Sequence, residues 1–268
     1  MSKDMSGLPN LPINLNIDYD ATNLVDSTVT KVAGTATSTL TALWFVTFGW
    51  LDHYADKVRI KRAANLKEYQ TLVNKEISKI LPEHLMEPRV SILGPAIQSS
   101  EFYFEEEHYR EMFAKLIASS MDSSKQNSAH TSFVDIIKQL SPVDATLFSA
   151  ISLNRDIDIG SIPISKIMIT GGKNISLGRK LKDLLVIPHN LENTTSCDIS
   201  ASLNNLNRLG LIDISYTKFF TDNGAYSYLD KNSLVIEYRS DSSNPEFQLE
   251  HGILELTTFG YSFASVCL

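Results

Sequence analysis

Cysteine is nearly missing from the sequence. Cys197 and Cys267 are the two that occur, far apart and without C-x-x-C spacing. Neither a disulfide framework nor a cysteine-held zinc is expected, and a reducing cytoplasm suits the chain. Positive charge is also scarce, with 24 Lys and Arg against 31 Asp and Glu and a net charge of -7. That balance argues against a broad nucleic-acid face, because phosphate contact needs clustered Lys and Arg. The first residues lack a basic segment leading into an apolar core and a cleavage site, so no secretory signal is read there. With 43% hydrophobic residues over 268 positions, one large or two modest domains can bury a core.

Signatures of catalysis are missing too. Gly171-Gly172-Lys173 lacks the earlier glycine of a phosphate loop: Ile167 takes that place, and Asn174 stands where Ser or Thr would hold magnesium. Glu105, Glu107, His108 and Glu111 lie within about a helical turn of one another. They form no H-E-x-x-H, and no second helix supplies the remaining ligands of a metal site. His130 stands alone before a helix cap and reads as packing against Phe133. Cys267 reads as a small apolar residue of a final helix, and no G-x-S-x-G occurs. No catalytic residue, metal or cofactor is expected. A cryptic enzyme working through His108, His130 or the acidic helix stays as a second alternative.

What the sequence does have is an uncharged run from Val32 to Leu51, about the length of a bilayer-spanning helix. Six Thr and Ser residues and two glycines dilute it, and only Leu40 to Leu51 is strongly apolar. Lys57, Arg59, Lys61 and Arg62 follow, as at a cytoplasmic flank. Two readings stand: a helix buried in the protein or in an oligomer, or an element that meets the membrane. In the second, Trp44, Phe45, Phe48, Trp50 and Leu51 form the inserting surface, and Asp at Trp44 and Phe48 should leave the rest folded.

Four segments follow from this reading: an irregular arm at 1–31, the apolar helix at 32–52, a helical domain at 53–140 and a module at 141–268. Leu66, Tyr69, Leu72, Val73, Ile77 and Ile80 recur at helical spacing before Pro82 ends the helix. Pro88 and Pro95 predict an extended or broken stretch. Tyr109, Met112, Phe113, Leu116, Ile117 and Met121 mark the clearest helix, led by Glu105, Glu106 and Glu107. Thr131 or Ser132 can cap a short helix with Phe133, Ile136, Ile137 and Leu140 inward.

Ser141-Pro142-Val143-Asp144 opens the next helix with a cap, a first-turn proline and an acid three residues on; its inner face is Leu147, Ile151 and Leu153. Ile162 to Ile169 suggests a β-segment, and Leu177 to Leu185 suggests a helix. A further helix spans Asp198 to Leu209, with Gly210 placed to end it. Leu211 to Tyr216 alternates as a strand, Asp222-Asn223-Gly224 is a turn, and Ile253 to Leu256 is a returning strand before a last short helix. The fold class is therefore mainly α with a small β component: a helical domain followed by a winged-helix-like C-terminal module.

The block from Leu81 to Asp122, its continuation through His130-Thr131-Ser132-Phe133 and Gln139-Leu140-Ser141-Pro142, and the ending Asn204 to Ile212 with Glu255 to Phe263 resemble the Abi-alpha (abortive infection alpha) family. The resemblance covers roughly residues 55 to 268 and is weakest from Arg155 to Asn190. It implies a helical domain joined to a winged-helix-like module, an association with phage defence, and no established active site. The expected function is a non-enzymatic abortive-infection-type protein in the cytoplasm, with inner-membrane association kept open and a protein partner or homo-oligomer as its means of action. The alternative is a winged-helix DNA-associated regulator reading bases through Asn204, Asn205, Asn207 and Arg208. Between Asn190 and Leu268 only four basic residues face ten acids, which makes nucleic acid the weaker partner.

Overall fold

The structure is a computed structural model that describes residues 33–48, 56–153, 160–169, 179–185, 199–230, 232–240 and 247–268. Helical periodicity governs the first half of the chain. It gives α1 (Ala33–Phe48), α2 (Asp56–Ile77), α3 (Val90–Ser100), α4 (Glu107–Ser119), α5 (Phe133–Gln139) and α6 (Pro142–Leu153). The second half adds β1 (Ser161–Ile169), β2 (Arg179–Leu185), α7 (Ile199–Arg208), β3 (Ile212–Ser215), α8 (Ser227–Asp230), α9 (Ser233–Ser240), β4 (Phe247–Leu256) and α10 (Thr258–Cys267). The protein is mainly helical with a small antiparallel sheet in the order β2-β1-β4-β3.

α4 is the axis of the helical part. Its Met112, Phe113, Leu116 and Ile117 are buried, with α2, α3, α5 and α10 packed around it. α6 starts as the local sequence predicts. Ser141 N–H donates to Asp144 Oδ2 at 2.7 Å while Asp144 N–H donates to Ser141 Oγ at 3.1 Å, a reciprocal cap. α7 ends at Gly210, whose φ of +72° lets Leu211 N–H reach back to Leu206 O at 3.0 Å. α10 is capped by Thr257 Oγ1, which accepts from Gly260 N–H.

The two faces of the sheet meet different things. Ile162 and Ile164 of β1 and Leu254 of β4 join the main core with Leu203 and Leu206 of α7. On the opposite face Ile167 packs with Tyr226, Leu229 and Val235 in a second, smaller cluster. The excursion between β3 and β4 therefore folds as α8 and α9 and covers that face. Gly252 and Gly260 allow close approaches at the two ends of this unit: an added Cβ would lie 2.4 Å from Ser215 O and 2.0 Å from Leu211 O respectively.

Several expectations need correction. Pro88 to Pro95 does not stay extended, since α3 carries Pro95 within it. Pro95 is exposed, and the burial of Ile92, Leu93, Ala96 and Ile97 on the other side holds the turn despite the lost hydrogen bond. Residues 179–185 form strand β2 in place of a helix, because pairing with β1 supplies what Arg-Lys-Leu-Lys-Asp-Leu-Leu would otherwise spend on a helix; 177 and 178 lie outside the described residues. Leu153 is exposed instead of inward, being the last residue of α6. Ser132 caps α5 only by position, and its own N–H is taken by His130 Nδ1 at 3.1 Å.

One hydrophobic cluster runs from Leu40 to Cys267. α10 returns onto α4, where Ser119 Oγ donates to Val266 O at 3.3 Å and Lys115 Nζ donates to Leu268 O. The 1–31 arm lies outside the described residues.

Candidate functional site

α1 is the element whose composition asks most of its surroundings, because it is uncharged throughout and strongly apolar from Leu40 onward. Leu40, Trp44 and Phe48 recur four residues apart and are buried. Trp44 lies 4.8 Å from Phe48 and 5.2 Å from Tyr69 of α2, and Phe48 meets Phe104 edge-on at 5.8 Å. These aromatics form one cluster, with geometry that adds to the burial of the rings themselves. On the outer side Phe45 is 63% exposed and Val46 is 77% exposed.

The surface expected to insert into a membrane is thus split. Trp44 and Phe48 face the core and Phe45 faces solvent, while Trp50 and Leu51 lie outside the described residues. Asp at Trp44 and Phe48 would place two charges in the core, so the expectation that the rest stays folded is withdrawn. Among the described residues no helix is long and apolar enough to cross a membrane.

Within the α1 contact Trp44 Nε1 is buried with no hydrogen-bond partner, and the buried Tyr69 Oη has the Ser100 hydroxyl beside it. Burial pushes the Tyr69 phenol well above its usual range, and the Ser100 hydroxyl beside it offsets only part of that. Ser100 Oγ itself donates to Ile97 O at 2.7 Å. Below this cluster ion pairs tie α2 to the turn before α4 and to α4 itself. Arg62 Nε meets Glu105 Oε1 at 2.8 Å, and the buried Arg110 donates to Phe104 O and pairs with Glu68 Oε2 at 3.2 Å. Glu105 therefore serves an ion pair.

The residues considered for base reading divide as well. Asn205 Nδ2 donates to Gln139 O and to Asp144 Oδ2, both at 2.9 Å. Arg208 donates to Gln139 Oε1 at 3.1 Å and to Asn205 Oδ1. Asn205 thereby joins α7 to the α5–α6 corner with Arg208 bonded beside it on the surface, and Asn204, Asn207 and Arg208 are exposed. Of the basic stretch from Lys166 to Lys182, Lys166 pairs with Glu250 at 2.9 Å and sits over the Tyr216 ring. Gly171-Gly172-Lys173 lies outside the described residues.

His108, His130 and Cys267 do not converge. His108 is exposed on α4; His130 is bound to Ser132 Oγ at 2.7 Å and stands edge-on to Phe259 at 5.8 Å. Cys267 is buried, and burial pushes its thiol far above the usual range. Among the described residues no three His, Cys, Asp or Glu gather as a metal site.

One pair was missed by sequence reasoning. Ser165 of β1 lies opposite His251 of β4, with Oγ 2.7 Å from Nδ1, and Tyr226 stacks on the imidazole at 4.0 Å. Their register comes from strand pairing across most of the module, so no local signal could have found it. Ser165 has no exposed surface, and the pair is not offered to a substrate. Next to it Ser161 Oγ donates to Glu255, which holds that carboxyl below its usual range, with Lys218 adding to the effect.

No curated protein matches the chain. Among solved structures, an uncharacterized protein from the hydrocarbon-degrading marine bacterium Alcanivorax borkumensis SK2 is similar at 16% identity and a TM-score of 0.34, covering 54% of this chain and 94% of that one. The sequence model described as abortive infection alpha matches residues 61–267, from the second turn of α2 to the end of α10. The chain therefore belongs to the abortive infection alpha family.

Proposed function

We propose that this is a phage-defence protein that acts through contacts with other surfaces and performs no chemistry of its own. Family membership supports the defence role. The observation that carries the contact reading is α1, whose outer face presents Phe45 and Val46 to solvent although the helix is already packed on its inner side. A helix with large apolar residues on both its inner and outer sides is at home between two apolar surroundings, and here one of them is the protein itself. The second is the bilayer interface or an apolar protein surface, and the uncharged run before Lys57, Arg59, Lys61 and Arg62 favours an interface with anionic lipid.

The acidic C-terminal half supports a protein partner over DNA, and the order α7, β3, excursion, β4 supports the winged-helix-like reading of that half. Engagement of Asn205 within the fold weighs against the DNA-associated alternative. The cryptic-enzyme alternative has nothing in the placement of His108 and His130 to favour it.

The test is a phage challenge of cells expressing Phe45→Asp/Val46→Asp. Loss of protection, with the protein present at normal level and with an unchanged melting curve, supports the reading. Full protection from that folded variant removes α1 as the acting surface.

A further inference from the structure

α1 and α2 form one outer layer of the helical part. α1 rests on α3 and α2 on α4, α3 packs against α4, and Trp44 of α1 meets Tyr69 of α2 at 5.2 Å. The faces that α1 and α2 turn away from the inner pair therefore share one side of the molecule. On α1 that side carries the exposed Phe45 and Val46. On α2, Lys61, Ala64, Glu68, Thr71 and Lys75 recur three or four residues apart and are exposed, with Lys67 exposed beside them. Leu66, Tyr69, Val73 and Ile77 fill the opposite, buried side of the helix.

Charge on this layer runs against the chain as a whole. α2 holds Lys57, Arg59, Lys61, Arg62, Lys67 and Lys75 against Asp56, Glu68 and Glu76, in a chain whose net charge is -7. Three acids at α2 are already spent. Glu68 pairs with Arg110 at 3.2 Å, Glu76 pairs with Lys79, and Glu105 reaches Arg62 at 2.8 Å from the turn before α4. Lys61, Lys67 and Lys75 have no ion pair among the described residues. They are spread over about 20 Å of helix. A row of unpaired ammonium groups on the same side as two exposed apolar side chains complements a surface that is anionic outside and apolar beneath.

We infer that the α1–α2 layer is a peripheral docking face for an anionic bilayer, with Lys61, Lys67 and Lys75 at the headgroup phosphates and Phe45 and Val46 in the interfacial zone. Two apolar side chains bury too little area to anchor the protein alone, and lysines alone attract it without depth, so the contact takes both signals. Among the described residues no helix can cross, and the contact is governed by lipid charge. The inference rests on the reading of α1 as the acting surface and names what that surface meets.

Sedimentation of the full chain with phosphatidylglycerol vesicles, and separately with phosphatidylcholine vesicles, tests it. The protein should pellet with the first and not the second, and about 0.5 M salt should release it. Lys61→Gln/Lys67→Gln/Lys75→Gln should bind phosphatidylglycerol about a hundredfold more weakly, at roughly fivefold per lysine. Its melting midpoint should not move, because the three side chains are exposed and unpaired. Absence of vesicle binding, equal binding to both lipids, or undiminished phosphatidylglycerol binding by the folded triple variant overturns the inference. Each of these leaves α1 as the acting surface, a reading that fails separately if Phe45→Asp/Val46→Asp still protects cells in full. Tighter binding to duplex DNA than to phosphatidylglycerol, lost in the triple variant, also overturns it and gives the lysine row to nucleic acid.

Discussion

Replacing Asp144 by alanine should cost the protein about 3 kcal/mol, and the sum can be followed from the contacts. Asp144 is buried, and its Oδ2 accepts from Ser141 N–H at 2.7 Å and from Asn205 Nδ2 at 2.9 Å. Losing its half of the α6 cap costs about 1 kcal/mol. Leaving the Asn205 amide with one acceptor fewer, at a charge-assisted bond, adds roughly 2 kcal/mol. At about 2–4 °C per kcal/mol for a chain of this size, the melting midpoint should fall by about 6–12 °C. Asn205→Ala alone should cost less, about 1–2 kcal/mol, since the Gln139 carbonyl it bonds lies at an exposed residue and can take water. The double variant should then fall short of the sum by about 1 kcal/mol, the signature of residues in direct contact. Thermal or urea unfolding followed by circular dichroism reads all three. An Asn205→Ala protein with an unchanged midpoint and weakened binding to duplex DNA would refute the argument and return Asn205 to base reading.

Other consequences can be checked with the same assay. Gly260→Ala would set a methyl 2.0 Å from Leu211 O, so it should cost several kcal/mol, about as much as the worst core substitutions, or prevent soluble expression. Phe48→Asp should unfold the α1 contact and lower the midpoint, whereas Phe45→Asp on the exposed side should change it by less than about 0.5 kcal/mol. Cys267 should resist thiol reagents until the protein unfolds, and rapid labelling at Cys267 in the native protein, read by peptide mapping, would contradict its burial. Stability should decline as pH rises above about 9–10. There the unfolded chain releases the Cys267 and Tyr69 protons that the fold retains, because both pKa values are raised by burial. A midpoint that holds steady from pH 8 to about 11 would show that neither group stays buried.

How much of this is legible in sequence depends on how far away each residue's partner lies. The α6 cap reads directly from Ser141-Pro142-Val143-Asp144, because donor and acceptor are three residues apart. Gly210 reads as a helix stop for the same reason, and the inner faces of α2 and α4 follow from spacing alone. β2 is not legible, since Arg, Lys and Leu favour a helix and only the neighbouring β1 makes 179–185 a strand. α3 is obscured by Pro95, whose cost is met by burial that the local sequence does not announce. The orientation of α1 is hidden for a different reason: with the consecutive run Leu43, Trp44, Phe45 and Val46, periodicity gives no inner side. Asn205 looked free to read bases because its acceptors lie 61 and 66 residues away along the chain.

β4 bears on something other than function. It lies between β1 and β3, and its ladder with β1 joins positions as far apart as Ser161 and Glu255. Closing a loop that long is slow, so assembly of this sheet should limit the folding rate. Once closed, the loop is insensitive to its own length, since doubling the intervening chain costs only about 0.6 kcal/mol. Relatives are therefore free to lengthen the excursion between β3 and β4 and trade speed of folding for new surface, provided that Gly252 still lets β3 lie close beside it.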